Sequence, residues 1–93
     1  MNNVSFLCPV CGYPALPEEP WCDGSSSDEI CPSCGTQFGY DDAAGGDASR
    51  RAAVHRELRT RWIERGMRWF SNSTPKPIEW EPLEQLAVFD ESD

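Results

Sequence analysis

At 93 residues the chain makes one small domain, too short to bury a thick core unaided, and it carries five cysteines that could cross-link it or hold a metal. It is 26% charged with a net charge of −8, a balance that repels phosphate backbones and suits either free solubility or a basic partner. No apolar run approaches the ~20 residues of a membrane span, and the opening "MNNVSFL" has neither the positive stretch nor the cleavage site of a secretory signal, so a cytoplasmic protein is expected.

The charge is segregated. Residues 1–47 hold acids and no Lys or Arg, residues 48–70 hold seven arginines against Glu57 and Glu64, and residues 71–93 hold Lys76 against six acids.

In chain order, "NVSFLC" alternates Val4 and Phe6 on one face and leads into "CPVCGY". That word returns as "CPSCGT", so that Cys8, Cys11, Cys31 and Cys34 are spaced C-x2-C-x19-C-x2-C. Each Cys-x-x-Cys turn aims two sulfurs at one point, and two turns complete a tetrahedral shell. Pro9 and Pro32 stiffen the turns, while Gly12 and Gly35 stand where the chain must turn with positive φ. A reducing compartment favours a metal over two disulfides. Zinc, one ion per chain, is expected in preference to iron. Four sulfurs leave no position open for a catalytic water, so the metal is structural and no enzyme is expected.

Short strands are expected in "NVSFLC", "YPAL", "SDEIC" and "TQFGY", with Phe38 and Tyr40 sharing a face. "CDGSSSDE" reads as the polar crest between the knuckles. Cys22 lies there among acids, which raise a thiol's pKa, and is expected to be a spectator. Asp41 and Asp42 read as solvated turn carboxylates. Gly45 and Gly46 separate this part from the next.

A helix is expected from about Ala48 to Arg65, capped by Asp47 or Ser49, with Val54, Leu58 and Trp62 as its apolar stripe. Gly66 at C′ and Met67 at C″ fit a Schellman stop. Glu57 and Arg61 are spaced for an i,i+4 pair. The arginines are expected to face the chain's own acids, with the stems of Arg51 and Arg65 partly buried. His55, the single histidine, reads as a packing residue. After an extended "WFSNSTPKPIEW", Pro82 opens a short last helix with Leu83, Leu86 and Val88 inward, and "FDESD" reads as a frayed tail. Trp21, Trp62, Trp69 and Trp80 are expected to weld these parts together.

The knuckles and the acidic, proline-containing segment between them partly resemble rubredoxins, which hold iron. The resemblance stops at residue 36, and its loop is shorter than theirs. Over residues 6–88, "FLCPVCGYPAL", "EICPSCGTQFGYDD", "LRTRWIERGMRWFS" and "IEWEPLEQL" together resemble small bacterial cysteine-rich proteins of the CPCC type. The third cysteine of that motif is replaced here by Val10. The resemblance implies a zinc-ribbon-like domain and no activity.

The expectation is therefore a small metal-stabilised α+β fold: zinc-ribbon-like β-hairpins with rubredoxin-type knuckles over residues 1–44, then the arginine helix and a Trp/Pro-rich segment with a short C-terminal helix over residues 45–93, packed as one domain. Its expected function is to bind another protein. The alternatives are a rubredoxin-like electron carrier and an acidic inhibitor of a basic nucleic-acid-handling protein. Nucleic acid itself, a membrane and a small-molecule substrate are not expected.

Overall fold

The computed structural model describes residues 5–89; the expectations for Val4 and for the tail beyond Phe89 lie outside them. Little regular strand forms. The two knuckles are instead closed by single antiparallel bridges, Phe6 with Leu16 and Ile30 with Gln37. Within each bridge the backbone repeats itself. Cys8 N donates to Tyr13 O at 2.8 Å and Gly12 N to Cys8 O at 2.9 Å; Cys31 N donates to Thr36 O at 2.9 Å and Gly35 N to Cys31 O at 2.8 Å. Gly12 and Gly35 have φ of 86° and 84°, a conformation open to glycine at no cost in Cβ contacts.

Among the described residues one two-stranded sheet forms, in the segment expected to be a plain polar crest. β1 (Trp21–Cys22) pairs antiparallel with β2 (Ser25–Ser26). Asp23 and Gly24 between them both have positive φ, the requirement of the type I′ turn whose right-handed twist matches a hairpin. The expected sharing of a face by Phe38 and Tyr40 is overturned: Phe38 is fully buried, whereas Tyr40 is exposed.

A 3-10 turn, Ala44–Gly46, leads into α1 (Ala48–Glu64). Asp47 is the N-cap, its carboxylate accepting from Ser49 N. The helix stops as the sequence indicates: Gly66 N donates to Ile63 O at 3.0 Å and Met67 N to Trp62 O at 2.9 Å, the two bonds of a Schellman motif. Pro82 then starts α2 (Pro82–Leu86), followed by a 3-10 turn, Ala87–Phe89. Leu86 packs against the core, but Leu83 and Val88 are exposed; beside Leu86, α2 sends Gln85 inward.

Among the described residues, the buried apolar set is Cys8, Val10, Cys11, Tyr13, Leu16, Cys31, Cys34, Phe38 and Trp62. Only Trp62 lies beyond residue 38, so the core is the knuckle region and the rest of the chain is packed onto it. The tryptophans do much of that packing. Trp69 sits edge-on between Tyr13 and Trp80, and Trp80 leans on Trp62. The result is a small α+β fold of one two-stranded hairpin and two helices around a four-cysteine cluster.

Candidate metal centre

The four cysteines of the repeated motif meet. All four are buried, and their sulfurs lie within 4.8 Å of one another. Cys8 Sγ is 3.8 Å from Cys34 Sγ, and Cys11 Sγ is 3.7 Å from Cys31 Sγ. These are far from the about 2.05 Å of a disulfide. A metal about 2.3 Å from each of four tetrahedral sulfurs would set them about 3.8 Å apart. The donor set and its spacing therefore fit a closed four-thiolate metal site. Cys22, the fifth cysteine, is exposed and away from the cluster.

The electrostatics point the same way. Burial, reinforced by the neighbouring thiols, pushes the Cys8 thiol far up, while hydrogen bonds from Cys11, Cys31 and Cys8 hold Cys34 down. A bound cation would offset the burial that disfavours the Cys8 thiolate, since a coordinating thiol is deprotonated outright. Polar groups of the turns also face the sulfurs: Val10 N donates to Cys8 Sγ at 3.4 Å, and Thr36 Oγ1 is 3.3 Å from Cys34 Sγ.

The second half of the chain supports both knuckles through residues that the motif does not announce. Arg59 of α1 donates from Nε to Val10 O and from Nη2 to Pro9 O, each at 2.8 Å, and lies 3.6 Å over the Phe89 ring. Gln85 of α2 donates from Nε2 to Cys11 O at 3.1 Å and to Ser33 Oγ at 3.0 Å, and accepts from Trp80 Nε1 at 2.8 Å. One amide thus joins the first knuckle to the second. Phe70 N and Ser71 N close over the second knuckle by donating to Pro32 O. The glycines make room for this cover. A Cβ at Gly12 would come within 2.5 Å of Gln85 O, and one at Gly35 within 2.6 Å of the Phe70 ring.

A second polar cluster holds α1 to the crest. Asp42 is fully buried, not solvated as its place in an acidic turn suggests. It accepts from Trp21 Nε1 at 2.8 Å, from Gly39 N at 2.7 Å, and pairs with His55 Nε2 at 2.7 Å. Burial alone would raise the Asp42 carboxyl; the bonds with His55, Trp21 and the Gly39 amide outweigh it and hold it below the usual carboxylate range. His55 is the packing residue expected, but with a charged partner.

The arginines behave differently from expectation. Among the described residues the ion pair within 4.0 Å is His55–Asp42, and no arginine is paired with a carboxylate, so Glu57 and Arg61 do not meet at that distance. Arg51 is half-buried as expected, but Arg65 is exposed and the second half-buried guanidinium is that of Arg59. Desolvation and the nearby Arg56 charge lower the Arg59 pKa from its ordinary value, and backbone carbonyls serve as its partners. No helix among the described residues is long and apolar enough to cross a membrane. Compared with family models, with curated proteins and with solved structures, the chain matches none.

Proposed function

We propose that the chain is a zinc-ribbon-like module in which Cys8, Cys11, Cys31 and Cys34 hold one structural zinc, and that it works by binding another protein. The observation that carries the metal part is the burial of four sulfurs within 4.8 Å of one another, two pairs of them at 3.7–3.8 Å. A shell made wholly of thiolates has no open position for water or substrate, which favours a structural over a catalytic ion, and no catalytic role is proposed. A cytoplasmic setting belongs to the same reading, because a reducing compartment keeps the thiols available.

The partner part rests on one groove. Leu7, Ile78 and Val88, which are 47%, 92% and 47% exposed, line a cavity of about 460 Å³ together with Glu79, Glu81 and Glu84. Apolar side chains inside an acidic rim suit a basic, amphipathic segment of another protein. Nucleic acid is a poor fit to that surface and to the net charge of −8.

The test has two arms. Elemental analysis and a visible spectrum should find zinc without a thiolate-to-iron band. Immobilised wild-type protein should retain a basic protein that Ile78→Asp does not. Retention equal in both would remove the groove from the reading while leaving the metal assignment intact.

A further inference from the structure

A second cavity, of about 410 Å³, lies between α1, the start of the first knuckle and the segment that leads into the crest. Its walls are largely apolar, with Phe6, Pro20 and Trp21 among them. Its floor is the α1 face carrying Ala48, Arg51, Ala52 and His55, which recur at the i, i+3, i+4 and i+7 positions of one helical stripe. The space exists because two of those four positions are alanine.

Two cationic or hydrogen-bonding groups face this space without protein partners for part of their capacity. The Arg51 guanidinium is stacked 3.5 Å over the Trp21 ring, which fixes its plane. Its Nε is buried with no hydrogen-bond partner, and no carboxylate lies within pairing distance of it among the described residues. No arginine among the described residues has a carboxylate within pairing distance; what sets Arg51 apart is its stacking on Trp21 together with a buried, unpartnered Nε. His55 is tied through Nε2 to Asp42, an acceptor-only carboxylate, so Nε2 is the donor of that pair and Nδ1 of the neutral ring can only accept, which leaves the Arg51 guanidinium as the group that meets an anion. Trp21 and Asp42 brace both groups, since Trp21 donates to Asp42 as well. Glu19 also lines the cavity and disfavours ligands of high negative charge.

We propose that this cavity binds a carboxylate carried on an apolar body. A guanidinium matches a carboxylate in shape and charge, the apolar walls take the attached group, and Glu19 makes a monoanion a better fit than a phosphate dianion. The same chemistry is offered by a small free aromatic or aliphatic acid and by the C-terminus of a peptide ending in an apolar residue. This site shares only Leu7 with the acidic groove and includes none of the four clustered cysteines.

The test is a calorimetric titration of metal-loaded full-length protein with two pairs of probes. One pair is phenylacetate and phenylacetamide; the other is a hexapeptide ending in Phe with a free and an amidated C-terminus. At least one acid should bind saturably and its amide at least about tenfold more weakly, as loss of a charge-assisted hydrogen bond implies. Binding by the small acid or only by the peptide identifies the source. Arg51→Gln should weaken the acid at least about tenfold, whereas Arg61→Gln, the same charge change on an exposed part of α1, should not. Ala52→Phe, at an exposed position, should block the cavity while leaving the fold and metal content unchanged, and it carries the test if Arg51→Gln does not fold. Equal affinity for acid and amide, no saturable binding of either acid up to about 10 mM, or wild-type affinity in Ala52→Phe would overturn the proposal.

Discussion

Replacing Asp42 with alanine takes away an acceptor that three donors share. Trp21 Nε1, Gly39 N and His55 Nε2 all lie 2.7–2.8 Å from its oxygens. A buried donor left unpaired costs about 1–3 kcal/mol. Trp21 and His55 are only half-buried, so water can reach part of what Asp42 leaves behind and the low end applies. The three together then amount to about 3–4 kcal/mol, a large share of the about 5–15 kcal/mol that holds a domain of this kind. At about 4–8 °C per kcal/mol for a chain of this size, the midpoint of thermal unfolding should fall by about 12 °C or more. Asp42→Asn keeps one acceptor oxygen and should lose about half as much. The assay is thermal unfolding at fixed free zinc, because a ligand that binds only the folded state moves the midpoint by itself. Metal content measured beforehand separates loss of this cluster from loss of the cysteine site. An Asp42→Ala protein within about 0.5 kcal/mol of wild type, the range of ordinary surface substitutions, would refute the view that the cluster pins α1 to the crest.

The same carboxyl gives a pH dependence of known sign: being lowered in the folded state, it contributes stability above its unfolded value of about 3.9 and loses it as pH falls through the folded value, so the stability difference between wild type and Asp42→Asn should narrow below about pH 4 in paired denaturation curves. Gly12→Ala should destabilise more than Gly24→Ala, because both have positive φ but only the Cβ at Gly12 meets the Gln85 carbonyl, at 2.5 Å, whereas that at Gly24 meets nothing within 4 Å; equal losses in urea would remove the close approach of α2 from the account. Gln85→Met should cost about 1–3 kcal/mol by unpairing Cys11 O and Ser33 Oγ, and should speed transfer of the metal to a chromophoric chelator. Cys22→Ser should alter neither metal content nor melting midpoint, as its thiol is exposed and outside the cluster.

The knuckles were legible in the sequence because a four-thiolate site needs a local, repeated spacing, and each Cys-x-x-Cys-Gly turn needs only its own residues to form. The end of α1 was legible for a similar reason, since Gly66 and Met67 act on carbonyls within one turn. What escaped has its causes far along the chain. Asp42 looks like its neighbour Asp41, and only the fold brings Trp21 and His55 to it. Gln85 has no pattern to mark it, and its partners lie 74 and 52 residues away. Arg59 is one of seven arginines, and nothing local distinguishes the one that reaches the first knuckle. The crest hairpin is a different case. Its Asp23-Gly24 pair is a strong turn signal, but each strand is only two residues long, too short for an alternating pattern to show. Leu83 and Val88 stay exposed, against expectation, because α2 is a single short turn that ends at Leu86, with too little length to bury a stripe.

The central claim is that four thiolates and one metal make the core on which everything else packs. It is tested most directly by elemental analysis of the purified protein alongside its Cys8→Ser, Cys11→Ser, Cys31→Ser and Cys34→Ser variants, with circular dichroism of each. The account predicts about one zinc per wild-type chain, no visible absorption band, and loss of both metal and fold in each variant, since structural zinc contributes about 10 kcal/mol or more to folding. A wild-type protein that stays folded with its metal stripped, or one that carries stoichiometric iron with a thiolate-to-iron band, would contradict it.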